Sequence, residues 1–492
     1  MFGVTMPEKQ GGSSEATTTF CPQQNAWLQD VSEKLRARQT AWEGYQRADL
    51  ISMEEVQMLR DAEQAGRDKK FDQIVKSGTQ YVALYTRLFE KLSRTDTIQQ
   101  VVLLTNDLLQ AAPNQVDSLL KEPHLYTSLQ KLLGVQDDYV SLKGAQFLAC
   151  CLRAQASSTS YNAPPTEALD QLLTFLHRHI RIAVDDEQDK NQGNTALISL
   201  IILGEILREA SFRSHIWKEA AQFAQKRQAR ESTVGVLVAL EEKLASEEPG
   251  TQTPRDTLSG YPQLQYQGLF ALWVLTFDKQ AAAKIDVYFE LASVLAHLAQ
   301  SALKHKVIRL IVGIWDNMLA GSKASEEDNA ARLLGAKVLP VCNTLQERNY
   351  SDEEMREQLK NVIGVLSQRL DQMSSYEEYR SELSSKHMSW DNPVHTLDQF
   401  WKENAEKLVD HNEKDLKQLV ELLETDSHSD STTLAVACND ISKFVHFYDG
   451  GRRRVTALGA KDAIARLVDY DDAEVRHSAL QALARLVSSS WK

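Results

Sequence analysis

Two stretches near the end of the chain match one another at an offset of 42 residues. Ala437, Cys438, Ile441 and Val445 each stand 42 positions before Ala479, Leu480, Leu483 and Val487. A second pair shows the same offset, with Ala271, Leu272 and Trp273 standing 42 positions before Gly313, Ile314 and Trp315. In the last copy, residues 471–487, the apolar positions Val475, Ala479, Leu480, Leu483, Leu486 and Val487 recur at steps that put them on one side of a helix. Arg476, Ser478, Gln481 and Arg485 fall on the other side. Asp471 stands three residues before Glu474, the spacing of a capping box. A helix this short is marginal alone in water, so it must lay its apolar stripe on a neighbour.

An offset of about 40–47 residues marks HEAT and armadillo arrays, in which each unit buries its face only by stacking on the next. The expected fold is therefore all-α, an armadillo/HEAT-like helical-repeat superhelix. No stretch shows sustained period-two alternation, so no sheet is expected. Helical periodicity recurs at 81–92, 96–110, 139–152, 166–183, 194–208, 232–244, 264–277, 291–303, 307–319, 331–345 and 352–370, and Ser52 with Glu55 forms a further capping-box pattern. Residues 1–22, rich in Gly, Ser and Thr, read as a disordered N-terminus. Residues 246–262 read as an exposed acidic loop. Composition shifts at 371–395, which holds eight Ser or Tyr residues and Asn392-Pro393. A linker is placed there, between a large repeat domain (23–370) and a smaller one (371–492).

A formal net charge of −13 argues against a nucleic-acid groove, which needs a basic surface to displace counterions. The five cysteines, Cys21, Cys150, Cys151, Cys342 and Cys438, show no metal-type spacing, and four lie in apolar helical patterns as small hydrophobes. They suggest a reduced chain without a disulfide framework, and no signal peptide is read at the N-terminus. The longest apolar run, 196–203, is too short to span a bilayer, so no direct membrane insertion is expected.

The chain lacks G-x-x-x-x-G-K-[ST], H-E-x-x-H and G-x-S-x-G, so P-loop, zinc-protease and serine-hydrolase chemistry have no residue basis. Asp185, Asp186 and Asp189 have the D-D-x-x-D spacing that holds magnesium diphosphate, but no second acid-rich helix accompanies them. An acidic interhelical loop is the plainer reading. His177 and His179 point apart on a helix, and Cys150-Cys151 reads as core packing. No catalytic residue, cofactor or metal is assigned.

One region carries a family resemblance. Residues 374–383 (Ser-Ser-Tyr-Glu-Glu-Tyr-Arg-Ser-Glu-Leu), Trp390, 392–395 (Asn-Pro-Val-His), 400–405 (Phe-Trp-Lys-Glu-Asn-Ala) and 450–455 (Gly-Gly-Arg-Arg-Arg-Val) closely resemble the H-subunit family of the vacuolar-type proton-pumping ATPases (V-ATPases). So do 42–45, 197–200 and 264–267, while the extreme N-terminus and 246–262 carry no likeness. The resemblance implies a non-catalytic component of the peripheral V1 sector, needed for ATP-driven proton pumping and restraining ATP hydrolysis when V1 is released. It implies contact with the peripheral-stalk subunits E and G, with the cytosolic domain of the large membrane-sector subunit (the a-subunit), and with other V1 subunits. It further implies one copy per complex, at the cytosolic face of vacuolar and endosomal membranes or in the cytosol.

Partner contacts are expected from Arg452, Arg453 and Arg454, a basic cluster placed on a turn after Gly450-Gly451. They are also expected from Asp426 and Asp430 in the acidic turn 424–431, and from Trp390, which would brace the two domains. Phe400 and Trp401 are expected in the core. The rival is another helical-repeat scaffold, such as a cargo adaptor, although Trp315 and Asn317 have the wrong spacing for an adaptor's Trp/Asn ladder.

Overall fold

The computed structural model describes residues 25–185, 192–246, 262–302, 304–322, 328–348, 350–373, 375–423 and 430–487. Every regular element among them is helical, with no strand. The N-terminal segment 1–22, Asp186 and Asp189, nearly all of 246–262, and most of 424–431 including Asp426 lie outside the described residues. The chain divides into two compact units, 1–278 and 279–492.

In the first unit, Ser52 opens the helix Met53–Asp68 as its spacing predicts. Its hydroxyl accepts the Glu55 N–H at 3.1 Å, and Glu55 Oε2 accepts the Ser52 N–H at 2.7 Å. The stack then runs through paired helices: Leu125–Leu133 against Asp138–Ser157, Thr166–Val184 against Gln192–Leu207, and Gln192–Leu207 against Pro262–Leu275. Some polar groups inside it are paired. Arg36 Nη2 donates to Asp107 Oδ1 at 2.6 Å, and Lys143 Nζ donates to Asn106 Oδ1 at 2.8 Å and Gln146 Oε1 at 3.0 Å. Burial lowers the Lys143 ammonium to a pKa of about 8.

In the second unit, Lys279–Phe289 packs on His305–Ser322, and His305–Ser322 on Glu353–Gln372. The repeat is visible in its cross-links, because one sequence separation recurs among them. Arg309 pairs with Glu354, Asn361 with Asp316, Lys337 with Glu382, His395 with Asp440, and Lys443 with Asp398, each 45 residues apart. Stacked units of similar length bring equivalent turns side by side, which is what a recurring separation records.

Four expectations change. The helix expected over 331–345 is two helices, Asn329–Gly335 and Val338–Glu347, broken at Lys337, whose φ is +58°. Residues 371–395 carry the helix Ser375–Ser385 and the 3-10 turn Pro393–His395. Tyr379, Leu383, Met388 and Val394 of that stretch are buried in a cluster with Phe400, Trp401, Ile441, Phe444 and Val475. Weak periodicity there reflects a short helix that buries the polar Ser381, Glu382 and Ser385 along with Tyr379 and Leu383. The last helix, Ala473–Val487, is capped by Asp472, not Asp471, with Asp472 Oδ1 accepting the Glu474 N–H at 2.8 Å. It buries Val475, Ser478, Ala479, Ala482 and Leu486, while Leu480 and Val487 are 52% and 60% exposed.

Candidate interaction site

The C-terminal third is knitted by a buried ionic chain built from four elements. Lys337 stands where the left-handed break ends one helix and starts the next, which points its ammonium at Glu382 Oε1, 2.7 Å away. Glu382 Oε2 lies 2.8 Å from His395 Nε2, and His395 Nδ1 lies 2.8 Å from Asp440 Oδ2. Asn439 Nδ2 closes the chain by donating to His395 O at 2.9 Å and Asp440 Oδ1 at 3.1 Å. His395 and Asp440 have no exposed surface. Burial alone would strip the proton from the ring, but Asp440 and then Glu382 outweigh it and raise the pKa to about 10. With both ring nitrogens protonated and no solvent access, His395 has no lone pair for proton abstraction. The four charges cancel in pairs, as a buried network requires.

Beside this chain the helix Asn329–Gly335 meets Ser375–Ser385 closely. Ser381 Oγ donates to the Ala331 carbonyl, and a Cβ on Gly335 would fall 2.4 Å from Ser381 O. Arg369 Nη2 reaches Asp328 Oδ2 at 2.9 Å and Glu377 Oε1 at 3.6 Å. A surface cavity of about 290 Å³ opens there, lined by Leu334, Lys337, Pro340, Leu370, Glu378 and Glu382.

The three arginines do not sit on an irregular turn. Gly450, at φ +85°, lets the chain reverse, and Gly451–Ala457 is helical from its first residue. Their roles diverge. Arg454 pairs with Glu413 and lies 5.7 Å over the Tyr448 ring. Arg452 Nη2 donates to Arg485 O at 3.3 Å. Arg453 is exposed and has no side-chain partner among the described residues. Asp430 is the N-cap of Ser431–Phe447: Oδ1 accepts the Thr433 N–H at 2.6 Å, and Oδ2 stands 3.9 Å from His387 Nδ1. His387, against the cost of burial, and the Thr433 N–H hold its carboxyl at about 2. Trp390 is half-buried against the cluster around Tyr379, and its buried Nε1 has no partner among the described residues. Phe400 and Trp401 are core, with rings edge to face at 5.5 Å.

Elsewhere Asp185 pairs with Arg181 at 3.0 Å. His179 Nδ1 lies 2.8 Å from Phe175 O, and Cys151, Cys342 and Cys438 are buried. Trp315 is fully buried, so it lines no adaptor groove. Sequence reasoning missed the His395 chain. Its available signal was Asn392-Pro-Val-His395 standing 45 residues before Asp440, a separation masked by a repeat match at 42.

Two family models, both describing the V-ATPase H subunit, match residues 26–366 and 372–491. A Drosophila melanogaster protein, named as the H subunit of a V-type proton ATPase, is 27% identical over 493 residues, covering 97% of this chain and 94% of its own. A Dictyostelium discoideum protein of the same name is 24% identical over 465 residues, covering 93% of each. Among solved structures, a designed armadillo repeat protein shares 16% identity and a TM-score of 0.22, over 63% of this chain and 99% of its own. No described helix is long and apolar enough to cross a membrane.

Proposed function

The chain belongs to the H-subunit family of the V-ATPases, and from that premise we propose that it is a non-catalytic regulator of the V1 sector. In this reading it enables ATP-driven proton pumping by the assembled enzyme and restrains ATP hydrolysis by released V1. The observation that carries it is the coverage, since the two family models together take in nearly every residue from 26 to 491.

The proposed route is a bridge. The N-terminal domain, 23–370, holds the peripheral-stalk subunits E and G. The C-terminal domain, 371–492, meets the cytosolic domain of the membrane-sector a-subunit in the assembled pump and other V1 subunits after release. A brake of this kind needs two placements with different contacts. Arg452, Arg453 and Arg454, with Asp430 and Trp390, supply contacts on the C-terminal side, as does Asp426. One copy acts per complex, at the cytosolic face of the membrane or free with V1. Stacked helices suit this work because each leaves an outer face for other proteins.

Reconstitution tests it. Adding the purified full chain to V1 lacking this component should depress ATP hydrolysis, and adding it to the whole enzyme lacking it should restore proton pumping. Unchanged hydrolysis and pumping, or nucleotide hydrolysis by the chain alone, would refute the proposal.

A further inference from the structure

The helix Ser431–Phe447 is sandwiched, and its two sides are identifiable. Thr433 and Asp440 face elements earlier in the chain, through Thr433 Oγ1 to the Met388 N–H at 3.1 Å and Asp440 to His395. Cys438 and Ser442 lie about 200° round the helix from Asp440. Arg485 of the last helix donates to Ser442 O at 3.2 Å, and Ala435, Cys438 and Ser442 are buried, with Val445 half-buried. This side therefore receives the next unit of the stack.

The 42-residue repeat carries both sides into the last helix, Ala473–Val487. The side turned to the preceding unit becomes Val475 and Ala482, both buried. The receiving side becomes His477, Leu480, Ala484 and Val487, and all four are exposed. The described array thus ends on an open receiving face with leucine and valine at its centre. An exposed apolar face of this kind costs solubility.

We propose that this face docks an amphipathic helix of another protein, which adds one more layer to the stack. The face prescribes the occupant. An incoming helix needs small and apolar residues at steps of four and three, as Val475, Ala479, Ala482 and Leu486 present toward the preceding helix. The flanks of that incoming helix are acidic. Residues 451–487 hold seven Lys or Arg against five Asp or Glu in a chain of net charge −13, and Arg476 and His477 border the apolar stripe. A second copy of the same face would set Arg476 against its own equivalent, so the charges favour an acidic partner.

The inference rests on the V1 reading for the setting of its test. The full chain with Leu480→p-benzoylphenylalanine is used to isolate the assembled pump, irradiated, and its crosslinked peptide mapped. The expected result is a crosslink to a helical, net acidic segment of another subunit. Leu480→Glu, with an unchanged circular-dichroism spectrum, should reduce retention in the pump about tenfold or more. Failure to recover pump subunits overturns the functional reading and this inference with it. Recovery of the pump with no crosslink at 480 overturns this inference alone, as does a crosslink to a second copy, to this chain's own residues or to a basic segment, or full retention of Leu480→Glu.

Discussion

Lys337 and Glu382 meet at 2.7 Å. The first belongs to the stretch matched by the N-terminal family model and the second to the stretch matched by the C-terminal one. The pair is the outer end of a chain that passes through His395 to Asp440 in the middle of the C-terminal core. A change of charge at any link is therefore felt in both stretches.

Removing one link strands the rest. Asp440→Ala leaves a protonated, fully buried His395 with one carboxylate instead of two, and breaking such a pair costs about 3–5 kcal/mol. Urea denaturation should show this as a lower midpoint at unchanged slope. The pH dependence follows from the raised ring pKa. A histidine ordinarily titrates near 6.5, and here burial is outweighed by Asp440 and Glu382, which bring it to about 10. Its contribution is complete below about pH 6.5 and is lost as pH rises to about 10. His395→Gln should flatten stability over that window; an unchanged slope would show that the ring does not bind its extra proton in the fold.

Glu241 poses the opposite case. It is fully buried in the helix Thr233–Ser246, and neither carboxyl oxygen is held in a hydrogen bond among the described residues. Burial outweighs the pull of the nearby Leu269 backbone and holds its pKa well above the ordinary value. The unfolded chain ionises near pH 4.3 while the folded chain stays protonated, so stability falls as pH rises above that point. Glu241→Gln removes this linkage and should stabilise the protein at pH 7 by about 1–3 kcal/mol. Thermal unfolding at pH 5 and pH 7 checks it, with the gain expected to be larger at pH 7.

Two glycines should respond with opposite signs to the same change. Gly335→Ala puts a methyl 2.4 Å from the Ser381 carbonyl, and overpacking of this kind costs about 1–3 kcal/mol. Gly364 lies on the exposed side of Glu353–Gln372, with nothing within 4 Å of an added Cβ. Gly364→Ala should add about 0.5–1 kcal/mol by removing helix-opposing entropy. Parallel melting curves of the two variants give the test, and a shared sign would contradict the close approach at Ser381.

The helices were legible wherever one face is buried and the other wet. The helix Thr166–Val184 lies within a residue of its expected span, and Ser52 caps with Glu55 as expected. The last helix shows where the reading stops. Its apolar residues cover more than one side, and only packing decides that Ser478 goes in and Leu480 stays out. The ionic chain was illegible for a related reason. Lys337, Glu382, His395 and Asp440 are ordinary polar residues until stacking brings turns 45 residues apart into contact. The arginine cluster read as one feature because its members are adjacent, yet a helix sends successive side chains about 100° apart, so each meets a different neighbour.

That divergence makes the arginines separable by experiment. Arg454 is tied to Glu413 and stacked over Tyr448, and Arg452 is bonded to Arg485 O. Arg454→Ala should therefore lower stability slightly, by loosening the turn at His411, Asn412 and Glu413, which all carry left-handed φ values of +48° to +63°. Arg453 projects into solvent, so Arg453→Glu should leave the melting temperature unchanged. If the basic cluster meets an acidic partner surface, the same variant slows association with V1, and the defect grows as salt is lowered, because like charges are then less screened. Stopped-flow or surface-binding rates at two salt concentrations distinguish the outcomes. A stable Arg453→Glu protein with unaltered association rates at both would remove Arg453 from the interface.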